Sequence, residues 1–481
     1  MQILEDELVG RIIDDALSVL AETGVEVEDA GLFDKLVALG LDGQASTRRV
    51  RFPREMVESA LSQAPSKIEL FDRDGERQAL LEGDHVNFVP ASSALRILDR
   101  ETQAVRTPKS ADFIEYVKLA DGLPNIAYLA TAFTTDDVPQ VIADAWRMYM
   151  LMAYSKRPFV SGAFTSHGVP RMTKIMELFR SSRAELIEKP MAIFTCCPNT
   201  PLRWGEDPLC NIFDCAEAGV PIEIVPVLLL GMTSPATTVG ALVLHTAEVL
   251  SGLTIAQLGR AGTPVIFGGA PATFHMQLMT NPMTAIEALQ VYCGYGQIAD
   301  RLGLPSQAYM GLSDSKFNDM QAGSESGIGS MLAALAGFNS VSGPGMLDFV
   351  NCFSLEKLVF DDELIAGIQH FLRPVEVKDD LPTADLVAEL LAENHLLTSE
   401  HTLARWQEEF YMPGTMVDRT NVDQYELNGS RDFRARASEV IEEKLDAYEL
   451  EPLSDDLHAE IRSIITTTTE GVEADQLPNF A

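Results

Sequence analysis

Apolar positions along the chain recur in two rhythms, and the switch between them divides the sequence. Over residues 2–22, Leu4, Leu8, Ile12, Ala16 and Leu20 fall on one face of a helix. Val25 to Ala64 continues as helices around a short extended piece, Arg49–Pro53, and Lys67 to Leu81 alternates apolar and polar residues about Asp74-Gly75, which predicts a hairpin. From His85 onward, runs the length of a buried strand return at intervals of about 25–45 residues, the span of a strand, a helix and their loops. They are Val86–Pro90, Ile126–Thr131, Phe159–Phe164, Met191–Cys196, Ile222–Leu229, Pro264–Phe267, Gln307–Gly311 and Ser340–Ser342. Helix starts lie between them. Ser110 precedes Ala111–Ala120, and Ser234-Pro235 and Asn281-Pro282 each place a capping residue before a proline suited to a first helical turn.

Eight strands alternating with helices predict an α/β fold of the (β/α)8 (TIM) barrel type rather than an open doubly wound sheet. Neither a G-x-G-x-x-G turn after a strand nor a P-loop is present to favour the open sheet. Beyond Gly345, Leu355–Leu372 reads as a long helix, Val375–Pro382 as a polar break, Thr383–Leu453 as helical, and Ser454–Ala481 as a closing helix with a tail. The expected division is a helical and hairpin cap over 1–84, a barrel over 85–374 and a helical extension over 375–481.

Composition narrows the chemistry. The chain has 481 residues, 46% of them hydrophobic and 22% charged, in the range of an ordinary globular protein. No 18-residue apolar span stands out as a membrane crossing, and the acidic start Glu5-Asp6-Glu7 is unlike a secretory signal, so the expected location is cytoplasmic. A formal net charge of −35 argues against nucleic acid and anionic lipid as partners. Six cysteines (196, 197, 210, 215, 293, 352) follow no disulfide framework, and Cys196-Cys197 lacks the spaced ligands of a zinc site, so no bound metal is expected.

In barrels the chemistry sits where strands end and the following loops begin. That rule selects Ser92, Thr134, Ser161, Thr195, Asn199, Thr233, Thr273, Asp314, Lys316, Asp319, Gln321 and the loop Gly343–Asn351. Asp314, Lys316 and Asp319 alternate in charge, which suits either a braced loop with a helix cap at Asp319 or a charge pair at the mouth. His245 and Glu248 share a helix face, where an apolar-helix histidine is usually a core residue. His275 follows the sixth strand and is the better proton-handling candidate. Phe133, Phe164, Phe274, Phe349 and Phe353 lie near strand ends; several in one mouth would make a cage for a quaternary ammonium.

Composition and spacing stop there, but several blocks resemble a known family. Gly311–Lys316 with Asp319–Gly323, Ser340–Asp348 and Ser354–Glu363 are similar to the trimethylamine methyltransferase family. So are Ala247–Gly252, Phe267–Pro271 and His401–Trp406, and the likeness runs from about residue 10 to about 450.

The resemblance implies a methyltransferase that moves a methyl group from a methylated amine to Co(I) of a separate corrinoid protein, the cobalamin being carried by that partner. The archaeal trimethylamine enzymes of the family carry pyrrolysine, whereas this chain has only standard residues. Pyrrolysine-free members are associated with betaines, so the expected substrate is glycine betaine, with proline betaine, carnitine or dimethylsulfoniopropionate as alternatives. A non-catalytic betaine- or corrinoid-protein-binding member is a further alternative, and a homo-oligomer fits any of these. In that reading Phe349 and Phe353, with Phe133 in reserve, wall the cation; Lys316 or His275 meets the carboxylate; and Asp314, Asp319 and Gln321 hold the loop or touch the corrinoid. Ser313 sits with the same cofactor-facing group, and Gly343 and Gly345 let the macrocycle approach the backbone.

Overall fold

The computed structural model describes residues 2–165, 168–378, 383–469, 471–473 and 477–478. Part of the expected break at Val375–Pro382 therefore lies outside the described residues. Eight short strands form the centre: β1 (Asn87–Val89), β2 (Leu129–Ala130), β3 (Phe159–Gly162), β4 (Ala192–Cys196), β5 (Ile222–Ile224), β6 (Val265–Phe267), β7 (Gln307–Ala308) and β8 (Ser340–Ser342). Parallel pairing runs β2-β3-β4-β5-β6 and β7-β8-β1. Two joints close the ring. Ala127 N–H donates to Phe88 O (2.9 Å) and Ser93 N–H to Thr131 O (3.1 Å) between β1 and β2; Phe267 N–H donates to Pro305 O (2.8 Å) between β6 and β7. All eight runs read from the sequence are these eight strands, and the fold is a (β/α)8 barrel.

Helices α1 (Ser110–Asp121), α2 (Ala143–Tyr154), α3 (Gly168–Glu177), α4 (Glu206–Ala218), α5 (Thr238–Gly259), α6 (Ile286–Leu302), α7 (Met320–Ala336) and α8 (Leu355–Phe371) surround the ring. Two expected starts are displaced. Ser234-Pro235 and Asn281-Pro282 stay in the loops; α5 begins at Thr238, capped by the Thr237 side chain, and α6 begins at Ile286. Asp319 does cap α7, accepting from Ala322 N–H at 2.9 Å. One expectation about apolar length fails: α5 is long and apolar enough to cross a membrane by composition, but 78% of its apolar window is buried inside the fold. It packs against the N-terminal helix Asp6–Glu22, α4 and α6 as a core helix.

Side-chain alternation separates two cores. Ile222 and Ile224 of β5, with Phe194, Val265, Phe267, Ala308 and Val341, face outward into the layer shared with the helices. Val89, Tyr128, Ala130, Val160, Ile193 and Ile266 face inward and form a separate buried cluster with Ile68, Leu70, Ala79 and Leu81. Those last four belong to the predicted hairpin (Ile68–Phe71 with Arg77–Leu81). Phe71 N–H donates to Pro190 O (2.9 Å) and Arg73 N–H to Lys156 O (2.7 Å), both just before their strands, so the hairpin stoppers the barrel at the N-terminal ends of the strands.

Candidate functional site

Above the apolar stopper the barrel interior turns polar. Because Ile222 and Ile224 point out, Glu223 between them points in, and it is fully buried. Strand register sets Gly162, Thr195 and Glu223 side by side. The Thr195 hydroxyl donates to Glu223 Oε1 at 3.1 Å, while Oε2 has no hydrogen-bond partner. Burial pushes the carboxyl up to about 8, against the opposing effect of Thr195. The carboxyl group is close enough to help raise the pKa values of Tyr309 and Cys197, for both of which burial is the largest cause.

Gln307 enters from β7. Its Oε1 accepts from Gly269 N–H (3.2 Å), which fixes the amide orientation, and its Nε2 is buried with no partner. Tyr309, two residues on and so on the same face, shares a hydrogen bond with the Ser92 hydroxyl at 3.2 Å. Gly268 must lack a side chain, since a Cβ there would lie 2.8 Å from Gln307 Oε1 and 2.9 Å from Ile224 O. The barrel interior thus offers one under-satisfied carboxylate oxygen, one amide donor without a partner and a phenol, a set whose chemistry is complementary to a small cation with a polar tail. Glu223, Gln307 and Tyr309 are absent from the residues chosen by sequence. Of the sequence candidates, Ser92 and Thr195 reach this site.

The structure brings the segments 314–321 and 343–353 together, as expected. Ser313 N–H donates to Met346 O (3.0 Å) and Asp348 N–H to Ser315 O (2.9 Å). The individual side chains are largely occupied in building the loops. Asp314 is buried and accepts from Met283 N–H, Thr284 N–H and the Thr284 hydroxyl (3.1, 3.0 and 2.6 Å). Ser313 donates to Glu325 Oε2 at 2.6 Å. Lys316 stands half-exposed, donating to Asp314 O (2.7 Å) and lying 4.1 Å from the Phe349 ring centroid. Gln321 is exposed and bonded to Glu325 (3.0 Å), and His275 is exposed with Nδ1 accepting from Leu278 N–H (3.2 Å).

Two expectations need correction. Phe133 and Phe353 are each 1% exposed and pack on one another (5.6 Å) and on Tyr116 (5.7 and 5.2 Å), so these rings belong to the core outside the strand ring and not to the barrel interior that holds Glu223. Gly343 and Gly345 do not open the backbone to a macrocycle. A Cβ at Gly343 would collide with Met310 O, and one at Gly345 with the Phe353 ring; these glycines serve close packing within the chain. His245 and Glu248 are employed separately: His245 stacks on Tyr295 (4.3 Å), and Glu248 accepts from Leu202 N–H (2.7 Å) and the Thr200 hydroxyl (2.8 Å). No group of His, Cys, Asp and Glu suited to a metal ion exists among the described residues.

The fold is a barrel whose buried polar side chains stand toward the C-terminal ends of the strands, where barrel proteins place their sites. Residues 1–472 match the trimethylamine methyltransferase family, and the chain belongs to it. The chain is 30% identical over 424 residues to the glycine betaine methyltransferase of Desulfitobacterium hafniense (strain Y51), covering 88% of each. It is 26% identical over 465 residues to the trimethylamine methyltransferase of D. hafniense (strain DSM 10664 / DCB-2), covering 97% of this chain and 93% of that one. The crystal structure of the Methanosarcina barkeri monomethylamine methyltransferase shares the fold, with a TM-score of 0.52 at 10% identity over 93% of this chain and 88% of that one.

Proposed function

We propose that this chain takes a methyl group from a quaternary ammonium, glycine betaine being the first choice, and delivers it to a corrinoid carried by a separate protein. The observation that carries the reading is Glu223, a fully buried carboxylate with one oxygen lacking a hydrogen-bond partner, in the barrel interior above the apolar hairpin stopper. A buried carboxylate is costly to ionise unless a cation stands beside it, and a quaternary nitrogen supplies that charge without a proton of its own. The 30% identity to a glycine betaine methyltransferase supports the betaine over a tertiary amine.

The mouth suits a corrinoid protein as methyl acceptor. Phe164, Met232, Met276, Met279, Phe317 and Met320 stand on loops after β3, β5, β6 and β7, all more than half exposed, and together form an apolar rim. A bound Co(I) corrinoid supplies the nucleophile. The residues of this chain do the rest. Glu223, ionised, holds the ammonium so that the methyl to be lost points out of the chamber, and Gln307 Nε2 and the Tyr309 hydroxyl orient the polar end. The hairpin stopper and the buried walls keep bulk water from the site. As the methyl passes to the acceptor, the C–N bond pair stays on nitrogen, which becomes a neutral amine, so the charge facing Glu223 is lost. No general acid is needed at the nitrogen.

The test is direct. The purified chain is mixed with Co(I)alamin and glycine betaine, and the spectral change to methylcobalamin is followed. Methylation with glycine betaine and not with trimethylamine is expected; no methylation by any quaternary ammonium, with binding intact, would favour a binding-only role.

A further inference from the structure

Arg147, Arg171 and Arg180 are buried and Arg157 is partly so, and all but one of these are well provided for. Arg180 donates five hydrogen bonds to carbonyl oxygens. Arg157 reaches the carbonyls of Leu123, Ile126 and Asp121 beside the Asp121 carboxylate. Arg171 has Val141 O, the Thr468 hydroxyl and Asp144. Arg147 is the exception. It is 1% exposed, yet among the described residues it makes two hydrogen bonds, Nε to Ala143 O (3.2 Å) and Nη1 to Thr131 O (3.1 Å). Among the described residues its second terminal nitrogen makes no hydrogen bond, and the acid whose charge it feels is Asp144. Asp144 is engaged with the Thr165 hydroxyl and Arg171, so two guanidinium groups share one acid. In a chain of net charge −35, a buried cation left over in this way is a feature to be explained.

Its position supplies the explanation. Arg147 lies in the second turn of α2, and its bond to Ala143 O shows that the side chain runs back toward the helix N-terminus, which is the mouth end of the barrel. Thr131 O lies just past the end of β2. The guanidinium carbon is 5.9 Å from the Phe164 ring centroid. That ring is 53% exposed and lies directly over Gly162, the inward-facing neighbour of Thr195 and Glu223 in the register. One half-exposed aromatic ring therefore separates a buried guanidinium that shares its one acid with Arg171 from the layer that holds an under-satisfied buried carboxylate.

We infer that Arg147 is the anion-side anchor of the chamber: it takes the carboxylate of a zwitterionic substrate whose quaternary ammonium faces Glu223, with Phe164 moving aside to admit it. The inference rests on the proposed quaternary-ammonium reading and adds to it the residue that receives the anionic group of the substrate. It also replaces Lys316 and His275 in that role, since both stand exposed on the rim.

The test compares two ligands with the same trimethylammonium head, glycine betaine with a carboxylate and choline with a hydroxyl, by calorimetry on the full chain. The wild type is expected to prefer glycine betaine by roughly 10- to 100-fold, the range for hydrogen bonds to charged groups. R147M should bring the ratio close to one. R147K keeps the buried charge but loses the second donor nitrogen, and should give an intermediate ratio, so the inference stays testable if R147M does not fold. A wild type without preference, or variants that retain it, overturns the role of Arg147 while leaving the ammonium site standing. A wild type that binds neither ligand overturns both.

Discussion

Replacing Glu223 by Gln removes one charge from a buried chamber at almost constant volume, and its effect can be worked out beforehand. With its carboxyl raised to about 8, Glu223 is mostly protonated at pH 7 in the empty site, and ionising it there costs about 1.4 kcal/mol. A quaternary nitrogen about 4 Å away gains about 4 kcal/mol at an effective dielectric constant of about 20. The difference, about 2.5 kcal/mol or roughly 70-fold in affinity, is what E223Q should lose at pH 7. The sign of the pH dependence follows from the same numbers. Only the ionised carboxylate attracts the ligand, so wild-type affinity for glycine betaine should rise about tenfold from pH 7 to pH 9 and level off above about 8. E223Q should be flat over that range. Calorimetric titration at pH 7, 8 and 9 reads both, and proton release on binding should be visible as a buffer-dependent heat in the wild type alone. Equal affinity for wild type and E223Q, or a wild-type affinity independent of pH, would refute the assignment of the cation to Glu223.

Other expectations follow from the same geometry. Lys357 and Asp361 form a fully buried pair at 2.5 Å that also holds Ser326 Oγ (2.6 Å) and Gly345 N–H (2.8 Å), bracing the loops after β7 and β8. K357M should destabilise by about 3–5 kcal/mol in denaturant unfolding, and K357M/D361L should recover most of that loss. G343A should cost about 3 kcal/mol or more by the same measurement, because the added methyl meets the Met310 carbonyl rather than a movable side chain. K316A and F349A should change glycine betaine affinity by less than about threefold, as the pair is half-exposed and a surface cation–π contact is worth about 0.5–1 kcal/mol. Changing Met276 and Met279 to Ser should leave methyl transfer to free Co(I)alamin intact while slowing transfer to a cognate corrinoid protein.

The barrel was legible because parallel strands buried on both faces leave continuous apolar runs, and eight of them at regular intervals admit few topologies. The chamber was legible only in part. Glu223 sits in Pro221-Ile222-Glu223-Ile224-Val225-Pro226, and a search for strand-end polar residues passes over an acid in mid-strand. The available signal was the acid itself: one charged residue in a run otherwise too apolar to face water must point into the barrel. Gln307 was hidden in the same way inside the run Ser306–Leu312. Phe133 and Phe353 failed for the opposite reason. Their place near strand ends was read correctly, but nothing local says which side of the sheet a ring takes, and here both turned toward α1 and Tyr116. Helix starts at Ser234-Pro235 and Asn281-Pro282 failed because the chain spends three or four more residues in the loop before turning.

The stopper built by Ile68–Phe71 and Arg77–Leu81 plugs the strand-start end of the barrel, so the doorway for the proposed ligand is the loop end. Under the proposed reaction, the methyl acceptor stands in that doorway during transfer. The demethylated amine is then shut in until the acceptor departs, and a fresh substrate must enter before the next acceptor arrives. Turnover is thereby obliged to follow a strict queue, first in and last out, imposed by a hairpin at the far end from the chemistry.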